Sequence, residues 1–121
     1  MKIGFIGLGN VGGKLAKSLL RNKFNLTVID IDENLVKGFV SKGAATAKSP
    51  KELAEKVDLI ITCLPSPKIC SEVMEKKDGV IEGLSKSKIW LEMSTTDSKE
   101  VKRIGELVKS KEAVPLDGPV S

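Results

Sequence analysis

The chain has 121 residues, the size of one domain, with 40% apolar residues and a net charge of +4 from 20 basic and 16 acidic side chains. His and Tyr are absent, aromatic residues make up 3% of the chain, and no apolar run approaches the roughly 20 residues needed to cross a bilayer. This composition argues against a membrane-spanning helix, a His-based triad or His-containing metal cluster in this segment, and a platform for stacking nucleic-acid bases.

The start, Met1-Lys2-Ile3-Gly4-Phe5, has no long apolar core or small-residue cleavage site, so a cytoplasmic location is expected. The mixed charges read as a lysine-rich solvated surface, with no nucleic-acid partner. Cys63 lies in an apolar run and reads as a small buried hydrophobe. With only Cys70 beside it, neither a disulfide framework nor a zinc site is expected. Proton transfer within this segment would need Lys, Asp or Glu, or a group from outside it.

In chain order, Lys2–Gly7 reads as a buried strand. Val11–Arg21 follows as a helix with Val11, Leu15, Ala16 and Leu19 on one face. Leu26–Asp30 is a second strand. Asp32 then caps a helix that turns Leu35, Val36, Phe39 and Val40 inward. Gly43–Thr46 is a short third strand. Ser49-Pro50-Lys51-Glu52 is a capping box with proline at the first helical position, opening a helix to Lys56. Val57–Leu64 is a nearly all-apolar fourth strand, as expected when both faces are covered.

Pro65-Ser66-Pro67 breaks that strand, and a helix runs on to about Lys76. Lys88–Met93 is a fifth strand. Asp97–Ser110 is a helix with Val101, Ile104, Leu107 and Val108 inward, and Ala113–Leu116 is a sixth strand. Strands and helices alternate throughout, so a parallel sheet with helices on both faces is the economical α/β architecture. Right-handed crossovers then leave few topologies, and the doubly wound order 3-2-1-4-5-6 is expected.

Gly7-Leu8-Gly9-Asn10-Val11-Gly12 joins the first strand to the first helix with Gly-x-Gly-x-x-Gly spacing. Gly7 supplies the tight turn, Gly9 lets a pyrophosphate approach the backbone, and Gly12 lets the helix pack close to the strand. The helix amino end offers unpaired N–H groups and partial positive charge to the phosphates. The absence of a Lys-Ser/Thr ending argues against a P-loop nucleoside triphosphatase. The six-residue pattern alone is weak. Here a strand precedes it, a helix follows, and an acid, Asp30, ends the next strand about 20 residues on. A carboxylate at Asp30 suits ribose hydroxyls and repels a 2′-phosphate, and Ile31 supplies no cation for one. NAD is therefore expected rather than NADP, in a Rossmann-type doubly wound domain.

These residues, with three further blocks, resemble the 3-hydroxyisobutyrate dehydrogenase (β-hydroxyacid dehydrogenase) family over essentially the whole chain. The blocks are Gly4–Gly12, Cys63-Leu64-Pro65, Glu92-Met93-Ser94-Thr95-Thr96 and Leu116-Asp117-Gly118-Pro119-Val120-Ser121. The resemblance implies that Gly7, Leu8, Gly9, Asn10, Val11, Gly12 and Asp30 hold the cofactor. Leu64 and Pro65 would line the path towards the nicotinamide, and Thr95 would hydrogen-bond that half. Ser121 matches the serine of the segment that holds the substrate carboxylate. The implied reaction is hydride transfer between NAD and a small 3-hydroxy acid, such as 3-hydroxyisobutyrate or a semialdehyde/hydroxy acid pair.

The resemblance further implies an all-helical domain after this one, supplying the catalytic lysine and the contacts of a homo-oligomer. No lysine here matches that catalytic position, so no catalytic residue is assigned to residues 1–121, and the segment alone is expected to be inactive. Gly118 departs from the alanine common in its block, and Val11 stands where methionine is common. A 6-phosphogluconate dehydrogenase-like enzyme is the alternative within the same class, although Met93-Ser94-Thr95-Thr96 differs from that family's Gly-Gly-Asn type segment. Imine reductases are another relative, but the Pro119-Val120-Ser121 ending fits them poorly. A non-catalytic NAD-sensing regulatory domain is the alternative from another class. It matches the Val28–Asp32 stretch but has no need for the three later blocks together.

Overall fold

The computed structural model describes residues 1–94 and 97–117. Six strands, β1 (Lys2–Ile6), β2 (Asn25–Ile29), β3 (Ala45–Thr46), β4 (Leu59–Thr62), β5 (Ile89–Glu92) and β6 (Val114–Asp117), form one sheet in the order β3-β2-β1-β4-β5-β6. All five pairings are parallel. The chain winds outward from β1 in one direction, returns, and winds out in the other. Right-handed crossovers therefore send the helices of the two halves to opposite faces.

The core accordingly splits into two clusters. On one face, α1 (Asn10–Arg21) and α2 (Glu33–Val40) cover Ile3, Phe5, Leu26 and Val28 with Ala16 and Phe39. On the other, α3 (Pro50–Lys56), α4 (Pro67–Glu75), α5 (Val80–Gly83) and α6 (Ser98–Lys109) pack Leu53, Met74, Val80 and Ile104 on Ile60 and Trp90. No described helix is long and apolar enough to cross a membrane.

The two expected caps, Asp32 and Ser49, form, and Ser66 and Asp97 cap two further helices. Asp32 accepts from Asn34 N, Ser49 from Glu52 N, Ser66 from Ile69 N, and Asp97 from Lys99 N. Each satisfies one of the first-turn donors that a helix leaves unpaired. Three expected inward residues instead lie outside: Leu35 is 38%, Val40 42% and Leu107 37% exposed. They sit at the margins of their apolar stripes, where a helix resting on a twisted sheet turns its flank to solvent. Cys63 is half-buried rather than fully enclosed, because β4 has ended at Thr62 and the chain is already leaving the carboxyl end of the sheet.

A long-range contact holds α3 in place. Lys88, just before β5, sends its ammonium group to the end of α3. There it donates to the carbonyls of Ala54, Glu55 (2.9 Å) and Val57 (2.9 Å). A cation on terminal carbonyls satisfies orphan acceptors and complements the helix dipole. Lys88→Met keeps the apolar stem and removes the donors. It is expected to lower unfolding stability by roughly 1–3 kcal/mol, measured as a lower urea midpoint at unchanged slope.

Candidate functional site

The carboxyl ends of β1, β2, β4 and β5 open into one cleft of about 1100 Å³. It lies where the strand order reverses, the place at which open α/β sheets take their ligands. One rim is the glycine turn. Gly7 has φ +101°, and a Cβ there would collide with the carbonyl oxygen of Cys63. A Cβ on Gly12 would collide with the carbonyl oxygen of Gly7. Gly7 lets the turn lie against the chain leaving β4, and Gly12 lets α1 lie against the turn.

Gly9 is different. It is exposed, its φ of −67° suits any residue, and a Cβ built on it meets nothing within 4 Å. The space above it is free of protein, and it lies at the amino end of α1. That end has no side-chain cap and no acidic residue in its first turn. The first intrahelical donor there is Gly13 N, which reaches Gly9 O at 2.6 Å. By contrast, α2, α3, α4 and α6 are each capped by a side chain. Among the described helices of seven residues or more, α1 is the one whose amino end has no side-chain cap. A diphosphate fits such a cradle in shape and sign.

Asp30 follows β2 and lines the same cleft. Its Oδ2 accepts from Leu8 N at 2.6 Å and its Oδ1 from Asp32 N at 2.8 Å. The carboxylate thus ties the glycine turn to the end of β2. An ionised carboxylate has about four acceptor sites, so capacity remains for sugar hydroxyls. Leu8 enters the site only through this backbone link, since its side chain is buried in the core under α1. Asn10 and Val11 are exposed and, with Gly9 and Gly12, line the cleft. Leu64 and Pro65, which follow β4, line the same cleft together with Ser94, and the Leu64 side chain lies beside Gly7. Thr95 and Ser121 lie outside the described residues.

Other residues complete the lining, and of these only Ile31 was singled out by the sequence. Ile31 is fully exposed beside Asp30, and Lys37, Thr46 and Lys48 border the same end. Ile69 and Val73 of α4 give the other end an apolar wall. The thiol of Cys63 is pushed above its ordinary value, first by burial and then by the charge of Glu92. That of Cys70 is pushed up more strongly, by burial first and then by its hydrogen bond to Glu92. Neither thiol is a ready nucleophile. No group of His, Cys, Asp and Glu among the described residues is arranged to hold a metal ion.

The fold and sequence have counterparts among known proteins. The family model described as the NAD binding domain of 6-phosphogluconate dehydrogenase matches residues 2–121. The chain is 38% identical over 119 residues to mitochondrial 3-hydroxyisobutyrate dehydrogenase of Mus musculus, covering 98% of this chain and 36% of that one. It is 34% identical over 118 residues to 3-sulfolactaldehyde reductase of Escherichia coli, covering 98% and 40%. The crystal structure of 3-hydroxyisobutyrate dehydrogenase from Salmonella typhimurium superposes with a TM-score of 0.92 at 25% identity, over 100% of this chain and 42% of that one.

The chain therefore belongs to the family of NAD-binding domains found in 6-phosphogluconate and 3-hydroxyisobutyrate dehydrogenases. It spans little more than a third of the length of the curated relatives it matches.

Proposed function

We propose that this chain is the NAD-holding domain of an oxidoreductase that moves a hydride between nicotinamide and a small 3-hydroxy acid or its aldehyde partner. The observation that carries the reading is the open, uncapped amino end of α1 above Gly9, with Asp30 anchored beside it. When bound, the nicotinamide ring supplies the hydride chemistry.

The chain's own residues orient and shield. The first-turn N–H groups of α1 receive the diphosphate, and Asp30 receives the ribose hydroxyls while disfavouring a 2′-phosphate. Leu64, Pro65 and Thr95 border the nicotinamide half, and Ser121 holds the substrate carboxylate. Hydroxy acids and their aldehydes are supported by the names of the relatives, which act on short molecules of that kind. The proton acceptor is a lysine of a further, helical domain. The lysines lining this cleft, Lys37 and Lys48, stand at the Asp30 end, away from Leu64 and Ser94.

Calorimetric titration of the 121-residue chain tests the reading. NAD is expected to bind, NADP to bind about tenfold more weakly or worse, and hydroxy acid oxidation to be undetectable without the second domain. Absence of any NAD binding would sink the assignment of the cleft. Turnover by residues 1–121 alone would sink the assignment of the proton acceptor to another domain.

A further inference from the structure

Behind the Leu64 rim lies a fully buried acid. Glu92, the last residue of β5, is 0% exposed, a buried carboxylate in an otherwise apolar cluster. None of the ion pairs among the described residues includes it. Its partners are neutral donors instead. Oε2 accepts from Thr62 Oγ1 at 3.0 Å and from Cys70 Sγ at 2.9 Å. Oε1 accepts from the backbone N–H of Ser94. The hydroxyl of Ser94 in turn accepts from the backbone N–H of Leu64 at 2.5 Å. Trp90 Nε1 donates to Thr62 Oγ1 at 3.0 Å and closes the network from below.

A bare carboxylate in an apolar interior is costly, and an apolar side chain of similar volume would often be as stable there. Stability alone does not call for an acid at this position. What the acid does is geometric. A single side chain fixes β4 through Thr62, α4 through Cys70 and the turn after β5 through Ser94. The Ser94 hydroxyl then carries that constraint across to Leu64. Both turns that form this rim of the cleft are held at a set separation.

We propose that Glu92 is a positioning residue for cofactor binding: by anchoring Ser94, and through it Leu64, it sets the rim against which the nicotinamide half lies. The inference rests on the cleft being the NAD site, and its test contains a readout that does not need NAD. Glu92→Met fills the same space without acceptors, and Glu92→Gln keeps a carbonyl for Ser94 N. Thr62→Val removes a partner on the far side of the carboxylate and leaves the Ser94 branch intact.

In the cofactor-free chain, Glu92→Met is expected to speed amide hydrogen exchange at Ser94 and Leu64 at least tenfold, whereas Thr62→Val and Glu92→Gln leave both close to the parent. Calorimetry should then show NAD bound at least tenfold more weakly by Glu92→Met, and within about threefold of the parent by the other two. Emission from Trp90, the only tryptophan in the chain, reports that each variant is folded. If Glu92→Met does not fold, Ser94→Ala takes its place and should release Leu64 in the same way.

Unchanged exchange in folded Glu92→Met, or equal losses in Glu92→Met and Thr62→Val, would overturn the proposal. Faster exchange in a chain whose parent form ignores NAD would retain the anchoring and refute the cofactor reading instead.

Discussion

Gly9→Ala is expected to leave the fold intact and to weaken NAD binding about a hundredfold, or roughly 2.7 kcal/mol. The two halves of this expectation have separate causes. On the protein side almost nothing opposes the methyl group. The backbone at Gly9 is extended with negative φ, and the added carbon meets no atom within 4 Å. Alanine is a poorer N-cap than glycine, by something under about 1 kcal/mol. It also restricts the unfolded chain, which offsets a similar amount. The melting temperature should therefore shift by no more than about 5 °C.

On the ligand side, the methyl group occupies the space through which a diphosphate must approach the first-turn N–H groups of α1. Gly7→Ala and Gly12→Ala should behave in the opposite way. Each drives a carbon into a backbone carbonyl oxygen, and Gly7 also has a left-handed φ. Neither neighbour can yield without separating β1 from α1 or from β4, so these variants should lose stability first and binding as a consequence. Calorimetry with NAD beside thermal melts of the three variants separates the cases. Undiminished affinity in folded Gly9→Ala would refute a diphosphate over the turn.

The three glycines share one motif, and its spacing already sets apart the turn glycine, the open one and the packing one. Much of the fold was legible for the same kind of reason. Strand order followed from alternation and crossover handedness, and the order found is the expected one. Asp32 and Ser49 announced their helices because a cap is a local event, complete within four residues. The strand ends were less legible: Val57 and Leu64 are apolar, but neither belongs to β4. Val57 ends the α3 helix, and Leu64 already faces the cleft. Helix α5 escaped because four residues, Val80–Gly83, are too few to show a period.

The buried network escaped for a different reason. Glu92 was visible as an acid in an apolar strand, and its alternation with Trp90 could have flagged it, since acids are rarely buried without a purpose. Its partners, Thr62, Cys70 and Ser94, come from three separate elements, and no sequence spacing joins them. The hook of Lys88 onto α3 is non-local in the same sense, spanning over thirty residues.

Asp30→Ala is expected to lower NAD affinity at least tenfold and to bring NADP level with NAD or ahead of it. Two effects of the substitution must be kept apart. The carboxylate accepts from the backbone of Leu8 and of Asp32, so its removal leaves two donors without partners. The glycine turn is then loosened, at a cost of roughly 1–3 kcal/mol in stability. A loosened turn weakens both dinucleotides alike, because their diphosphates are the same. The ratio of the two affinities is therefore insensitive to it.

That ratio instead reports charge. A 2′-phosphate beside a carboxylate is repelled by a few kcal/mol at the effective dielectric of a protein surface, and Asp30→Ala removes this term. Lys37 on α2 and Lys48 beyond β3 remain at the same end of the cleft, so the field left behind favours the extra phosphate. The ratio of NADP to NAD affinity should rise by tenfold or more, and high salt should shrink the gain as screening sets in. An unchanged ratio with both affinities reduced would confine Asp30 to bracing the turn, and the preference for NAD would need another source.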